Sequence, residues 1–219
     1  MSLHHTIRLY DYDYTYLVPK LAEQHYEPTI IMTRINKLYF DKEITIDKMK
    51  TFGEYMLMVM NHYSSLYCII TSDLIGEVSI GLKEAGLCVR NVLSIPVITN
   101  HCPCCDIKNR TSYDENKTMT VVFATKGCTA RPLNYTKIID EKGSCVYPAN
   151  WSWFKGTEMD AMKTMLNISS HHRDEVFDPF MYNGDTGVAA IETDRHYLGT
   201  ETDGARFRAI QERLDKLGE

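Results

Sequence analysis

The sequence predicts an α/β domain with a mixed, mostly parallel sheet and helices on both faces. Three observations predict it. Short apolar, β-branched runs alternate with longer segments whose apolar residues recur at helical spacing. A length of 219 residues with 44% hydrophobic content fills one core, and two would be cramped. Near the C-terminus a strand, a glycine turn, a helix and a second strand come one after another, ending in an acid.

The elements are taken here in chain order. Residues 14–26 suit one helix that starts around Pro19, with proline in its first turn. Thr29–Met32 is a brief buried strand. Across 44–63, Ile46, Met49, Phe52, Tyr55, Met56, Val59 and Met60 mark a helix with a wide apolar face. Residues 66–71 form a strand, and Thr71-Ser72-Asp73 can cap a helix carrying Leu74, Val78, Leu82 and Ala85, closed by Gly86. Residues 87–98 and 119–125 are strands, 157–169 a helix, 175–180 a strand into a turn, 187–193 a helix, 196–200 a strand and 203–217 a charged helix. Residues 99–118 and 126–155 lack periodicity and read as loops.

Composition bounds the function. No eighteen-residue apolar stretch exists, so no membrane span is expected. Met1 to Tyr16 lacks the apolar run of a signal peptide, which points to the cytoplasm. The five Asn-x-Ser/Thr sequons are then chance. Net charge is −5, which argues weakly against a dedicated nucleic-acid binder. Residues 101–155, however, carry 8 basic and 5 acidic side chains, net +3 inside an acidic protein. A phosphate-facing insert has that balance, and so do many solvated loops.

Seven cysteines, an odd number, read as thiols or metal ligands. Cys102 and Cys105 have C-x₂-C spacing, and Cys128 and Cys145 could complete a four-thiolate zinc site, although a second C-x₂-C is missing. The alternative is a few buried or solvent thiols. Cys68 and Cys88, in apolar strands, read as packing residues. His171-His172 read as solvated, and Trp151 and Trp153 as core rather than base-stacking groups.

Glu175 to Asp203 reads EVFDPFMYNGDTGVAAIETDRHYLGTETD. A glycine turn lets backbone approach a nucleoside cofactor, and the acid at the second strand end binds ribose hydroxyls. Asp-Pro-Phe, a glycine turn, Val-Ala-Ala and Arg-x-Tyr-x-Gly-x-Glu-x-Asp before a charged helix resemble the S-adenosylmethionine (SAM) motif of β-class DNA amino-methyltransferases. Those enzymes methylate the exocyclic amine of adenine or cytosine. The resemblance implies the Rossmann-like SAM-methyltransferase fold over 1–219 as a single domain. It implies cofactor contacts at Asp178, Phe180, Tyr182, Gly184 and Glu201. Lys155 resembles the lysine of the family's Lys-Pro pair, with Gly156 for the proline. Residues 101–155 take the place of the target-recognition region.

Two departures mark this chain. The family's first strand ends in Asp-Pro-Pro-Tyr or a close variant. Its acid or amide accepts from the target amine, and its aromatic stacks on the flipped base. Counting from Thr29–Met32, that place holds Thr33, Arg34, Ile35 and Asn36, and no paired proline occurs in the chain. The cofactor turn, Phe-x-Gly-x-Gly in the family, is Phe180-Met181-Tyr182-Asn183-Gly184 here. Tyr182 would enter the space where backbone meets SAM. Asp185 comes next, a carboxylate that would repel the carboxylate of SAM.

The departures favour a homologue without ordinary methyl transfer that binds DNA or a partner protein. A subunit of a modification assembly or an anti-restriction protein of a phage or bacterial host would suit. The alternative is an active SAM-dependent DNA adenine or cytosine amino-methyltransferase with unusual motifs. Homo- and hetero-oligomers are both open.

Overall fold

The computed structural model describes residues 6–98, 118–127, 151 and 154–218. Most of the 101–155 insert, all four candidate zinc cysteines and Trp153 lie outside them. The order is β1 (Ile7–Tyr10), α1 (Tyr14–Glu23), β2 (Ile30–Arg34), α2 (Ile46–Val59), β3 (Ser65–Ile70), α3 (Ile75–Glu84), β4 (Cys88–Pro96) and β5 (Thr118–Thr125). The chain continues through α4 (Glu158–Ser169), β6 (Glu175–Asp178), α5 (Asp185–Glu192), β7 (His196–Thr200) and α6 (Gly204–Gly218). Short 3₁₀ turns occupy Lys37–Tyr39 and Ser72–Leu74.

Among the described residues, seven strands form one sheet in the order β1-β7-β6-β2-β3-β5-β4. β1, β7, β6, β2 and β3 run parallel, and β5 runs antiparallel to both neighbours. This is the mixed, mostly parallel sheet that the sequence predicts. Because side chains alternate across a strand, each central strand feeds two cores. Ile30, Met32, Tyr67, Ile69, Val121 and Phe123 face α4, α5 and α6. Ile31, Leu66, Cys68, Ile70, Val122 and Ala124 face α1, α2 and α3. Burial on both faces is why these strands read as continuous apolar runs.

The chain leaves β2 through α2 towards β3, and leaves β6 through α5 towards β7 in the opposite direction. The strand order therefore reverses between β6 and β2. At such a point the loops at the carboxyl ends part and open a crevice. Asp178 ends β6 there, beside the loop after β2.

Four expectations need correction. α1 starts at Tyr14, not at Pro19, because Asp13 is a stronger start signal: its Oδ1 accepts the Thr15 N–H at 2.8 Å. Pro19 sits inside the helix, where it removes one backbone bond, and buried Leu17, Val18 and Leu21 hold the helix across it. β1 was not foreseen, because Ile-Arg-Leu-Tyr is a half-buried edge strand with no apolar run. β2 runs two residues past Met32, to Arg34. Thr71 makes no side-chain cap, because a 3₁₀ turn precedes α3. Gly86 ends α3 as foreseen: at φ +98° it brings its N–H to the Lys83 carbonyl and the Leu87 N–H to the Leu82 carbonyl.

Candidate functional site

The β6–α5 turn is the first wall of the crevice. Asp178 is buried, with Oδ1 accepting the Phe180 N–H at 3.1 Å and Oδ2 facing the Tyr197 hydroxyl at 3.4 Å. Burial pushes its carboxyl up to about 7, opposed by nearby Thr33, Thr186 and Tyr197 hydroxyls and the Phe180 N–H. Thr33 stands close enough to oppose the rise but short of a hydrogen bond, and its buried Oγ1 has no partner among the described residues.

The backbone of the turn keeps the shape that glycines permit. Gly184 has φ +82°, and a Cβ there would stand 3.0 Å from Ile210 Cγ2 of α6. Tyr182, at the position of the family's first glycine, has φ +54°. A tyrosine held in that region costs about 1 kcal/mol or more, so the turn has a backbone conformation that glycine would adopt without that cost. Asp185 is not a bare charge: its Oδ1 pairs with Arg213 Nη1 at 2.9 Å, and its Oδ2 accepts from Asn183 Nδ2 at 2.6 Å. It also begins α5, where the helix dipole favours an acid. That pairing weakens the repulsion expected from the sequence.

Glu201, just past β7, is the second wall, and its side chain is fully buried. Oε1 accepts from the Asp203 N–H at 2.9 Å and from Arg206 Nη2 at 3.1 Å. Oε2 accepts from the Tyr39 hydroxyl at 2.5 Å. The Tyr39 ring lies on Phe180, with centroids 4.6 Å apart and planes 22° apart. Burial and the bond to Glu201 raise the phenol well above its ordinary range, so Tyr39 is a neutral donor. Tyr39, Phe180, Glu201, Asp13 and Tyr14 together surround a space of only about 10 Å³. On the far side of Asp13, Tyr14 and Tyr39 lies an open cleft of about 450 Å³, walled also by Phe40, Asp47 and Lys48.

The four residues after Met32 are each engaged inside the fold. Thr33 is buried at the end of β2. Arg34 pairs with Glu158 in the first turn of α4 at 2.6 Å. Ile35 is in the core and donates its N–H to the Ile69 carbonyl at 2.9 Å. Asn36 caps the next 3₁₀ turn, accepting the Leu38 N–H at 3.0 Å. Because β2 is two residues longer than its apolar run, the loop proper starts later. It reads Asn36-Lys37-Leu38-Tyr39: an amide and an aromatic three residues apart, with no prolines between. Sequence reasoning missed Tyr39. The signal was the Asn-x-x-Tyr spacing, hidden by a strand end placed too early.

Lys155 is exposed and stands apart from these residues in the chain, just before buried Gly156, whose carbonyl accepts the Ile98 N–H at 2.8 Å. A Cβ on Gly156 would stand 2.7 Å from Phe154 Cζ, so this position is set by packing. Arg195 is wholly buried. It donates to the Leu166 and Ser170 carbonyls and to Asn167 Oδ1, fastening the end of α4 to the start of β7. His171 and His172 are exposed, and Trp151 and Cys68 are core residues, as expected. No group of three or more His, Cys, Asp or Glu among the described residues could hold a metal, and no described helix is long and apolar enough to cross a membrane.

With the geometry described, the chain can be set beside known proteins. Residues 108–212 match the family model for N6_N4_Mtase, DNA methylase. No curated protein sequence matches the chain. The crystal structure of the M1.HpyAVI–SAM complex is similar, with TM-score 0.72 and 19% identity, over 95% of this chain and 100% of that one. A second M1.HpyAVI structure gives TM-score 0.68 and 18% identity, over 96% and 99%. PvuII DNA methyltransferase (cytosine-N4-specific) gives TM-score 0.63 and 12% identity, over 99% and 93%. At such identities the likeness shows a shared fold, and the fold is that of the SAM methyltransferases.

Proposed function

We propose that the chain, whose residues 108–212 match the DNA methylase family model, is a divergent homologue of the DNA amino-methyltransferases that binds DNA or a partner protein and does not carry out ordinary methyl transfer. One observation carries this reading: Tyr39 already engages both Phe180 and Glu201, two of the residues that the resemblance assigns to the cofactor. Ligand pockets of drug or cofactor size measure roughly 300–1,000 Å³, and the space between Phe180 and Glu201 is about 10 Å³. A ribose hydroxyl would have to displace Tyr39 from Glu201, and an adenine ring would have to displace it from Phe180. In this arrangement the residues do not fit SAM.

The loop after β2 supports the same reading. Arg34, Ile35 and Asn36 are tied into ion pair, sheet and turn, and Thr33, whose Oγ1 has no partner among the described residues, is buried at the strand end. For binding without chemistry, the net +3 segment 101–155 is the proposed surface, whether it meets phosphate or protein. The partner's identity, a modification subunit or a restriction target of an anti-restriction protein, is open to the same assays.

A second reading has its own support. Asp178, Gly184 and Glu201 are kept, and Tyr182 holds a glycine conformation, as in an active SAM-dependent adenine or cytosine amino-methyltransferase with an altered turn. One experiment separates the two. The purified chain is incubated with methyl-labelled SAM and duplex DNA of mixed sequence. Absence of label in DNA is the expected result, and label on adenine or cytosine amines would establish the second reading instead.

A further inference from the structure

Tyr39 presents to the site the two features that a nucleoside would present. Its ring lies on Phe180, as a base would, and its hydroxyl donates to Glu201 Oε2, as a ribose hydroxyl would. Arg206 helps to hold this arrangement: its guanidinium is 5.7 Å from the centre of the Tyr39 ring while it bonds the other Glu201 oxygen.

The segment immediately after Tyr39 is fixed. Phe40 is buried, edge-on to Phe180 at 5.2 Å and to Phe52 at 6.4 Å. Its carbonyl and that of Glu43 accept from Lys48 Nζ at 2.7 and 3.2 Å. Between them Asp41 and Lys42 are both left-handed, at φ +49° and +64°. The segment is thus pinned by a buried ring on one side and a lysine on the other. Tyr39 itself is half-buried, with a 450 Å³ cleft against its other side. A rotation of that one side chain needs no movement of Phe40, and there is room for the ring to enter.

We propose that Tyr39 is a side-chain gate on a nucleoside site. Closed, its ring covers Phe180 and its hydroxyl occupies Glu201. Open, the ring turns into the neighbouring cleft and leaves both groups to a ligand with an aromatic base and a ribose. The proposal rests on the reading that the cofactor position is self-filled, and adds that the filling is reversible and due to one residue. A ligand then binds only to the open fraction, so its apparent affinity falls in proportion to that fraction.

The test uses the full chain and titrates SAM, and separately adenosine, by calorimetry into the native protein, Tyr39→Phe and Tyr39→Ala. Tyr39→Phe keeps the stack and loses the bond to a charged acceptor, so it should bind about tenfold more tightly than the native chain. Tyr39→Ala should bind more tightly still, and Glu201→Gln in that background should remove the gain. Thermal melting establishes that the variants are folded, and Tyr39→Phe decides the matter alone should the alanine variant not fold. Equal affinity in all three proteins overturns the gate, as does absence of binding in every folded variant. Neither result depends on methyl transfer, which tests the function reading separately.

Discussion

At the scale of single residues, Asp178 makes a prediction about pH. An unfolded aspartate titrates near 3.8 and the buried one near 7, so the folded protein holds the proton more tightly. The stability this gives is complete below about pH 4 and is lost as pH rises through 7, up to the order of 4 kcal/mol. Urea denaturation at pH 5 and pH 8 should show the fall, and Asp178→Asn should flatten it and be the more stable protein at pH 8. An unchanged slope would mean that the carboxyl is ionised within the fold. Tyr182 belongs to the same scale. Its left-handed backbone is strained while Asp185 and Arg213 pair beside the turn. The identities of Tyr182 and Asp185 were plain in the sequence. Their geometry was not, because φ and an ion pair to a distant helix are tertiary properties.

At the scale of elements, two contacts hold the site's scaffold. Arg195 ties the end of α4 to β7 through the Leu166 and Ser170 carbonyls and the Asn167 amide oxygen, and also bonds the Thr193 carbonyl. Replacing it with methionine removes these bonds, the one to the buried Ser170 carbonyl among them, and should cost about 3 kcal/mol or more, read as a fall in the urea midpoint. Gly184→Ala combines a left-handed backbone with a Cβ 3.0 Å from Ile210 and should cost about 1–2 kcal/mol. A neutral Gly184→Ala would show that α6 can retreat from the turn. The sequence placed most helices and strands to within two or three residues, because burial on one or two faces writes a period into the chain. It missed β1, whose four positions are all half-buried. It misplaced the end of β2, because Thr33 and Arg34 look like loop residues until their tertiary partners are known. That error of two residues concealed Tyr39.

At the scale of the whole molecule, the question is what surface meets a partner. If three basic side chains of 101–155 reach phosphates, duplex affinity should fall about 40-fold between 50 and 200 mM salt. Fluorescence anisotropy with a labelled duplex measures this, and absence of duplex binding at low salt would favour a protein partner. Elemental analysis of the purified chain decides on zinc at Cys102, Cys105, Cys128 and Cys145: a content far below one per chain removes the site.

By itself the sequence determined the fold class and the resemblance to a methyltransferase motif. Both are carried by repeated or contiguous features: the alternation of buried strands and amphipathic helices, and the run from Asp178 to Asp203. It also drew attention to Tyr182 and Asp185 in the turn after β6. Only the tertiary structure decided which distant side chains meet at the strand ends. Tyr39, Phe180 and Glu201 are separated by up to 162 residues and meet because the strand order reverses between β6 and β2. A pattern along the chain records what each segment buries, and which distant side chains touch depends on where the sheet brings the strand ends together.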